Sequence, residues 1–277
     1  MAASMFVFSG ADTLAKLLTE ALHPIQITWS RQFGLLIGVL ILMGIRGLSV
    51  LRTRHPTLQI TRGVLTAGSA TLFITAVSFV PLADAISVTF MAPFMITILG
   101  AMVLREPVGV RRWSAVVIGF LGAIIIIRPG LGVVHPAMML VVLAAGFFAL
   151  RQILTRMLSG SDRAITTFAY TALGSCLVLT VPLPFVWQWP STTVVVALLA
   201  GMAGLAALGE LLVIKALEAA QAVVIAPVQY TLLIWATMYG YLVFAQLPEM
   251  WTWVGALIII ATGVYTLHRE HLVARRA

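Results

Sequence analysis

The sequence predicts an all-α membrane protein. Ten transmembrane helices form a 5+5 inverted repeat around a central cavity, with both termini on the cytoplasmic side. Three observations predict this: the composition, the spacing of the apolar runs, and a likeness between the two halves. Of the 277 residues, 61% are hydrophobic and 9% are charged, with mean hydropathy +1.07. A soluble domain runs nearer half apolar and a quarter charged, and so few polar groups could not cover its surface.

The apolar runs fall at 2–20, 25–45, 62–80, 83–104, 111–128, 137–158, 164–186, 192–216, 221–246 and 250–267. Each is near the roughly 20 residues that a helix needs to cross a bilayer. Barrel strands would alternate over about ten residues, whereas these runs are continuous. Turn signals separate them, among them His23-Pro24, His55-Pro56, Pro81, Arg105-Glu106-Pro107, Pro129-Gly130, His135-Pro136, Ser159-Gly160 and Pro248. What remains is enough for short loops and no soluble domain. The first 18 residues lack a basic n-region and contain Asp12 and Lys16, so they read as a span rather than a cleavable signal.

Charge sets the orientation. With the N-terminus inside, all of the 17 Lys and Arg except Lys16, Arg31 and Arg128 fall on inner loops or adjoining helix ends. The positive-inside rule therefore favours N-in and C-in. The +8 net charge is then topogenic and faces anionic lipid. No basic patch alternates with exposed aromatics, which excludes a nucleic-acid partner. Trp187, Trp189, Trp251 and Trp253 fall at the predicted outer ends, as an interfacial belt would. The single cysteine, Cys176, allows no disulfide within the chain and no cysteine metal site. The five histidines sit at loops or helix ends, which removes a histidine metal cluster and a histidine proton relay. No metal or cofactor is expected.

The fourth and ninth runs resemble each other. Ala83 to Pro107 reads ADAISVTFMAPFMITILGAMVLREP, and the stretch Gln221 to Pro248 carries AVVIAPVQYTLLIWATMYGYLVFAQLP. Both hold an Ala-Pro step, Ala92-Pro93 and Ala226-Pro227, although the two prolines are out of register. A proline inside such a run frees a carbonyl and bends the helix. With five helices per half, the second half must insert upside down, which is the arrangement of many secondary transporters.

Taken with the opening MFVFSGADTLAKLL and the block LREPVGVRRWSAVVIGFLGAIIIIRPG, these stretches resemble the drug/metabolite transporter superfamily. More narrowly, the chain is similar to its EamA-type ten-helix transporters, near the branch that holds S-adenosylmethionine and riboflavin transporters. The resemblance implies one repeat over 1–130, a second over 137–270, and a cavity lined mainly by helices 1, 3, 4, 6, 8 and 9. One departure stands out. The family's Phe-Gly-Glu-x-Pro before the last helix reads Phe244-Ala245-Gln246-Leu247-Pro248 here, with Glu249 beyond the proline.

Charged and aromatic residues inside the spans are the candidate substrate-binding groups, because an intramembrane charge costs about 2.5–3.5 kcal/mol on insertion scales. Asp12 and Lys16 stand four apart on helix 1 and can pair on one face. They line the cavity, or they neutralise each other toward the headgroups. Glu210 follows the small-residue series Gly201, Gly204 and Gly209. It binds a cationic group or exchanges a proton, or it pairs with Arg151, Arg156 or Lys215. Arg31, on a peripheral helix, is expected to pair with an outer acid such as Glu20 or Asp84. Gln229 and Tyr230 follow the Pro227 bend and face the cavity, and the resemblance places a tyrosine at Tyr230 too. Phe90, Phe94, Phe148 and Trp235 supply aromatic walls, or pack structurally.

The function these features imply is an inner-membrane secondary transporter of a small metabolite, with a proton as the possible coupling ion. Mixed charge suits S-adenosylmethionine or an amino-acid-like zwitterion. Riboflavin would instead need aromatics and hydroxyl partners and little charge. A membrane-embedded lipid-modifying enzyme would want clustered Asp, His or Cys at a membrane face, and a scaffold would not explain buried charge. No phosphate-binding glycine loop is present to drive transport by ATP.

Overall fold

The computed structural model describes residues 1–105, 108–128, 135–158, 161–219 and 226–274. Among these it excludes the side chains of 217–219, 226–227 and 267–274, and those of Leu42, Arg46, Leu48, Ala164 and Ile214. Glu106-Pro107, Pro129-Gly130, Ser159-Gly160, 221–225 and Arg275-Arg276 therefore lie outside the described residues. So do the side chains of Pro227, His268, Arg269 and His271.

The described residues form α1 (Ala2–Leu18), α2 (Pro24–Arg46), α3 (Pro56–Val77), α4 (Leu82–Thr89), α5 (Ala92–Val103) and α6 (Val110–Ile127). They continue with α7 (Met138–Leu158), α8 (Ala164–Thr180), α9 (Leu183–Val186), α10 (Thr193–Ala219), α11 (Thr231–Phe244) and α12 (Met250–Ala274). Short 3-10 turns cover Leu48–Leu51 and Ala226–Tyr230. No strand occurs among the described residues. Six segments are long and apolar enough to cross a membrane: Pro24–Ile45, Pro56–Val77, Leu82–Val103, Val110–Ile127, Met138–Leu158 and Thr193–Val213. Ile165–Thr180, Val228–Phe244 and Met250–Thr266 are shorter apolar helices.

Local sequence explains where these helices begin and break. Pro24 and Pro56 start α2 and α3, where a missing N–H costs nothing. The His23 ring nitrogen accepts from the Ile25 amide at 3.3 Å and caps α2. The third helix starts at Pro56, six residues before the apolar run, because its polar first turns are held by groups of α7 and α8. Pro93 cannot donate to the Thr89 carbonyl, so the fourth run splits into α4 and α5 at Phe90-Met91. Pro182 and Pro184 end the seventh run early and leave α9 as a single turn. The ninth run enters as the 3-10 turn at Ala226–Tyr230 and becomes α-helical from Thr231. Intramembrane hydroxyls are mostly satisfied by the carbonyl one turn back, as in Thr13 to Ser9 at 2.8 Å and Thr171 to Thr167 at 2.8 Å.

Two helices end in the same backbone conformation. α5 is followed by Arg105 at φ 53, and α11 by Ala245 at φ 53. This is the left-handed region that favours glycine, and the resemblance puts glycine at the Ala245 position.

α1 packs against α10 and α11, and α3 against α7 and α8. α2 packs on α8 and α10, α6 lies along α12, and α4 and α5 lie against α7. With lipid as solvent, such contacts are held by close van der Waals packing of small residues. At the α3–α8 crossing a Cβ on Gly63 would lie 2.8 Å from the Gly174 Cα. At the α6–α12 crossing Gly122 and Gly255 meet backbone to backbone, with no room for a side chain on Gly255. The largest apolar cluster gathers Ile86, Val88, Phe94, Ile126, Val141 and Ile259 from α4, α5, α6, α7 and α12.

Candidate functional site

The site is built from α1 outward. Asp12 is 7% exposed, and its Oδ1 accepts from the Arg31 guanidinium of α2 at 2.6 Å. A charge-assisted bond this short, inside the bundle, is far stronger than an exposed pair. It replaces both expected pairings. Asp12 does not pair with Lys16, and Arg31 pairs with neither Glu20 nor Asp84. The reason is position: α2 packs on α10 beside α1 rather than at the rim, so Arg31 reaches Asp12 directly.

From this pair a row of charges continues across the helices. Glu210 of α10 lies within electrostatic reach of both Arg31 and Arg151 of α7. Arg151 in turn feels Arg62 of α3 as a like charge. Signs alternate along Asp12, Arg31, Glu210 and Arg151, on four different helices. Arg62 is fixed separately. It donates to Thr155 at 3.0 Å, to Gln59 at 3.3 Å, to the Thr167 carbonyl at 3.2 Å and to Thr171 at 3.1 Å. Arg151 stands over the Phe148 ring, 4.7 Å from its centroid, in a cation–π contact.

Aromatic side chains meet between α1 and α11. Phe6 meets Trp235 edge to face at 5.2 Å and Tyr239 at 5.5 Å. Among the described residues, buried polar atoms without a hydrogen-bond partner include Ser9 Oγ, Thr71 Oγ1, Arg151 Nε, Trp235 Nε1 and Thr237 Oγ1, with others on α2, on α4 and at the end of α6. Buried polar groups are normally satisfied, so these atoms offer partners to the polar groups of a ligand.

The structure divides the sequence-read candidates. Asp12 and Glu210 belong to the charged row, Phe148 packs on the apolar cluster with Arg151 over its ring, and Trp235 lies against Phe6 of α1. Phe90, Phe94 and Tyr230 belong to the apolar cluster: Phe90 meets Tyr230 at 5.0 Å, Phe94 fills the space over Gly119, and the Tyr230 hydroxyl lies over Gly263 of α12. The Phe90–Tyr230 contact does join the α4–α5 break to the end of the 3-10 turn. Gln229 is exposed. Phe6, Ser9, Tyr239 and Thr237 were not singled out from the sequence. The i, i+3 spacing of Phe6 and Ser9 was the signal that could have placed them on one face.

Lys16 sits elsewhere. Its Nζ donates to the Val80 carbonyl at 2.7 Å and to Gln246 Oε1 at 3.1 Å, and lies 4.9 Å from the Phe244 ring centroid. It ties α1 to the loops after α3 and α11. At the same end Arg128 is ion-paired with Glu249, the residue displaced beyond the proline. At the other end Asp162 accepts from Thr53 at 2.5 Å, from Gln59 at 2.8 Å and from the Arg54 amide at 3.3 Å. Desolvation raises its carboxyl, but these hydrogen bonds and His55 outweigh it and hold the group below its ordinary value.

An apolar groove of about 500 Å³ lies between α2, α3 and α8 and is lined by residues such as Phe33, Leu36, Tyr170 and Leu177. It contains none of the charged row, so chemistry rather than volume locates the site.

Apolar helices that carry charges of alternating sign and aromatic rings between them are the features of a polytopic membrane transporter for small molecules. The profile of the EamA-like transporter family matches residues 1–128. An S-adenosylmethionine uptake transporter of Rickettsia bellii is 28% identical over 267 residues, covering 96% of this chain and 91% of its own. A riboflavin transporter of Vibrio cholerae is 31% identical over 238 residues, covering 84% and 78%. A solved crystal structure at 17% identity aligns with TM-score 0.61 over 98% of this chain and 96% of its own, a likeness of fold. The chain belongs to the EamA-like transporter family of the drug/metabolite transporter superfamily. It is an integral protein of the bacterial inner membrane, and it transports a small metabolite rather than catalysing a reaction.

Proposed function

We propose that the chain is a secondary transporter of S-adenosylmethionine or a related amino-acid-like zwitterion, working by alternating access between two inverted repeats. The row of buried charges of alternating sign, Asp12, Arg31, Glu210 and Arg151, carries this reading. A row without net charge suits a substrate that carries both signs, and Phe148 beside it, with the Phe6, Trp235 and Tyr239 cluster between α1 and α11, suits an aromatic base. The relatives named for S-adenosylmethionine uptake support the same choice.

Ten spans follow if α4 with α5, α8 with α9, and Ala226–Phe244 each count as one. The repeats are then 1–130 and 137–270. Packing supports the repeat. Exchanging the halves turns the α1–α10 contact into α7–α3, and the α2–α10 contact into α8–α3, while α2–α8 and α6–α12 map onto themselves. Breaks at Phe90-Met91 and Ala226–Tyr230 fall in matching spans, where discontinuous helices often surround a transported substrate. Arg52, Arg54 and Arg163 at the Asp162 end support a cytoplasmic assignment for that face, with N-in and C-in. The Lys16 end is then periplasmic.

A riboflavin substrate is the second reading, favoured by the Phe6–Trp235–Tyr239 cluster and its unpartnered indole N–H. Uptake and counterflow in proteoliposomes, with and without a proton gradient, separate the two. S-adenosylmethionine is expected to accumulate and to exchange, and amino acids to compete. Riboflavin transport without S-adenosylmethionine transport would overturn the choice of substrate. Gradient-independent exchange would remove the coupling proton.

A further inference from the structure

The geometry points to Arg151 and Glu210 as the two groups that grip an amino-acid-type substrate, the guanidinium taking its α-carboxylate and the carboxylate its α-ammonium. This deepens the transporter reading and rests on it. Three features carry it.

The neighbours are already committed. Arg31 is bound to Asp12 at 2.6 Å, and Arg62 makes four hydrogen bonds within α3, α7 and α8. Within the row this leaves one anion and one cation, Glu210 and Arg151.

The two interact without closing on each other. Among the described residues the direct ion pairs are Arg31–Asp12 and Arg128–Glu249. Glu210 of α10 and Arg151 of α7 lie within electrostatic reach of each other without a direct contact. An α-amino acid carries its ammonium and carboxylate one carbon apart, and presents a partner to each of the two charges. A buried charge left unpaired is costly, so a ligand that supplies both partners gains what each charge lacks alone.

The donor is oriented and unused. Arg151 is held over Phe148 at 4.7 Å, and its Nε–H is buried with no partner. The guanidinium edge formed by Nε and a terminal nitrogen matches a carboxylate in two parallel hydrogen bonds. Lysine would keep the charge and lose that geometry.

The test compares two ligands on one preparation of the full chain in nanodiscs: S-adenosylmethionine, and methylthioadenosine, which keeps the nucleoside and sulfur but lacks the amino-acid end. Wild type is expected to prefer S-adenosylmethionine. Arg151→Lys and Glu210→Gln are expected to weaken its binding about ten- to a hundredfold, the scale of a lost charged hydrogen bond, and to leave methylthioadenosine unchanged. The affinity ratio is independent of how much of each variant folds. A wild-type ratio in both variants, or an equal loss for both ligands, overturns the inference and leaves the substrate assignment standing. If wild type ignores S-adenosylmethionine but binds another α-amino acid in a way that Arg151→Lys abolishes, the substrate assignment falls and the grip stands. If wild type binds no compound with an α-amino-acid end, both fall.

Discussion

Replacing Asp12 by Asn leaves the Arg31 guanidinium charged between helices with its closest partner neutralised. The two side chains are 10% and 18% exposed, and their contact is 2.6 Å. Removing one member of a buried pair costs about 3–5 kcal/mol in soluble proteins, and insertion scales put an unpaired intramembrane arginine at about 2.5–3.5 kcal/mol. Glu210 is close enough to Arg31 to soften the loss. The lower part of the range is therefore expected, about 3 kcal/mol, or roughly a hundredfold in the unfolding equilibrium. Reversible unfolding in mixed micelles measures it, with Arg31→Gln and the double variant completing a cycle. The double variant is expected to recover part of the loss, with a coupling of about 2 kcal/mol. Additive single losses, or an Asp12→Asn variant within about 0.5 kcal/mol of wild type, would refute the reasoning.

Three other outcomes follow from the geometry. Gly63→Val would force a side chain into the Gly174 backbone of α8 and cost about 1–3 kcal/mol in thermal unfolding, whereas Gly38→Val, with open space around it, should be neutral. Lys16→Met removes the bonds to Val80 and Gln246, and amide exchange in those two loops should quicken about tenfold, the equivalent of one lost hydrogen bond; unchanged exchange would show that Lys16 does not fasten that end. Asp162 is held below its ordinary value of 3.8, so its contribution is complete above that pH and is lost as pH falls through the lower folded value. Acid titration of stability should show this step in wild type and not in Asp162→Asn.

Much of the fold was legible because bilayer spans are written in long apolar runs. Eight of the ten runs begin within about two residues of a helix start, and the beginning of the run at 221 lies outside the described residues. The exception, α3, starts early because polar residues can extend a helix when neighbouring helices hold them, as Gln59 is held by Asp162 and Thr167. Asp12, Glu210 and Arg151 were legible as intramembrane charges because they stand out against apolar surroundings, whereas Arg31 was read onto a peripheral helix and Lys16 into the cavity. Who pairs with whom was not. Spacing along one helix brought Asp12 to Lys16, but rotation of α1 against α2 gave Asp12 to Arg31 and sent Lys16 to two loops. Phe94 and Tyr230 read as cavity walls, yet glycines at 119 and 263, far away in sequence, open the spaces their side chains occupy.

The Asp12–Arg31 bond also bears on how the chain is made. Its partners lie on consecutive helices, so both have been synthesised before α3 exists. α1 and α2 can leave the translocon as a hairpin whose charges already cancel, which spares α2 the cost of entering lipid alone with an arginine. Arg151 and Glu210 have no such shortcut, because α8 and α9 are made between them. The first half can therefore settle as its residues emerge, while the second must keep Arg151 beside Arg62 until α10 brings its counter-charge. Substitutions at Asp12 or Arg31 should act on insertion yield, and those at Arg151 or Glu210 on late assembly.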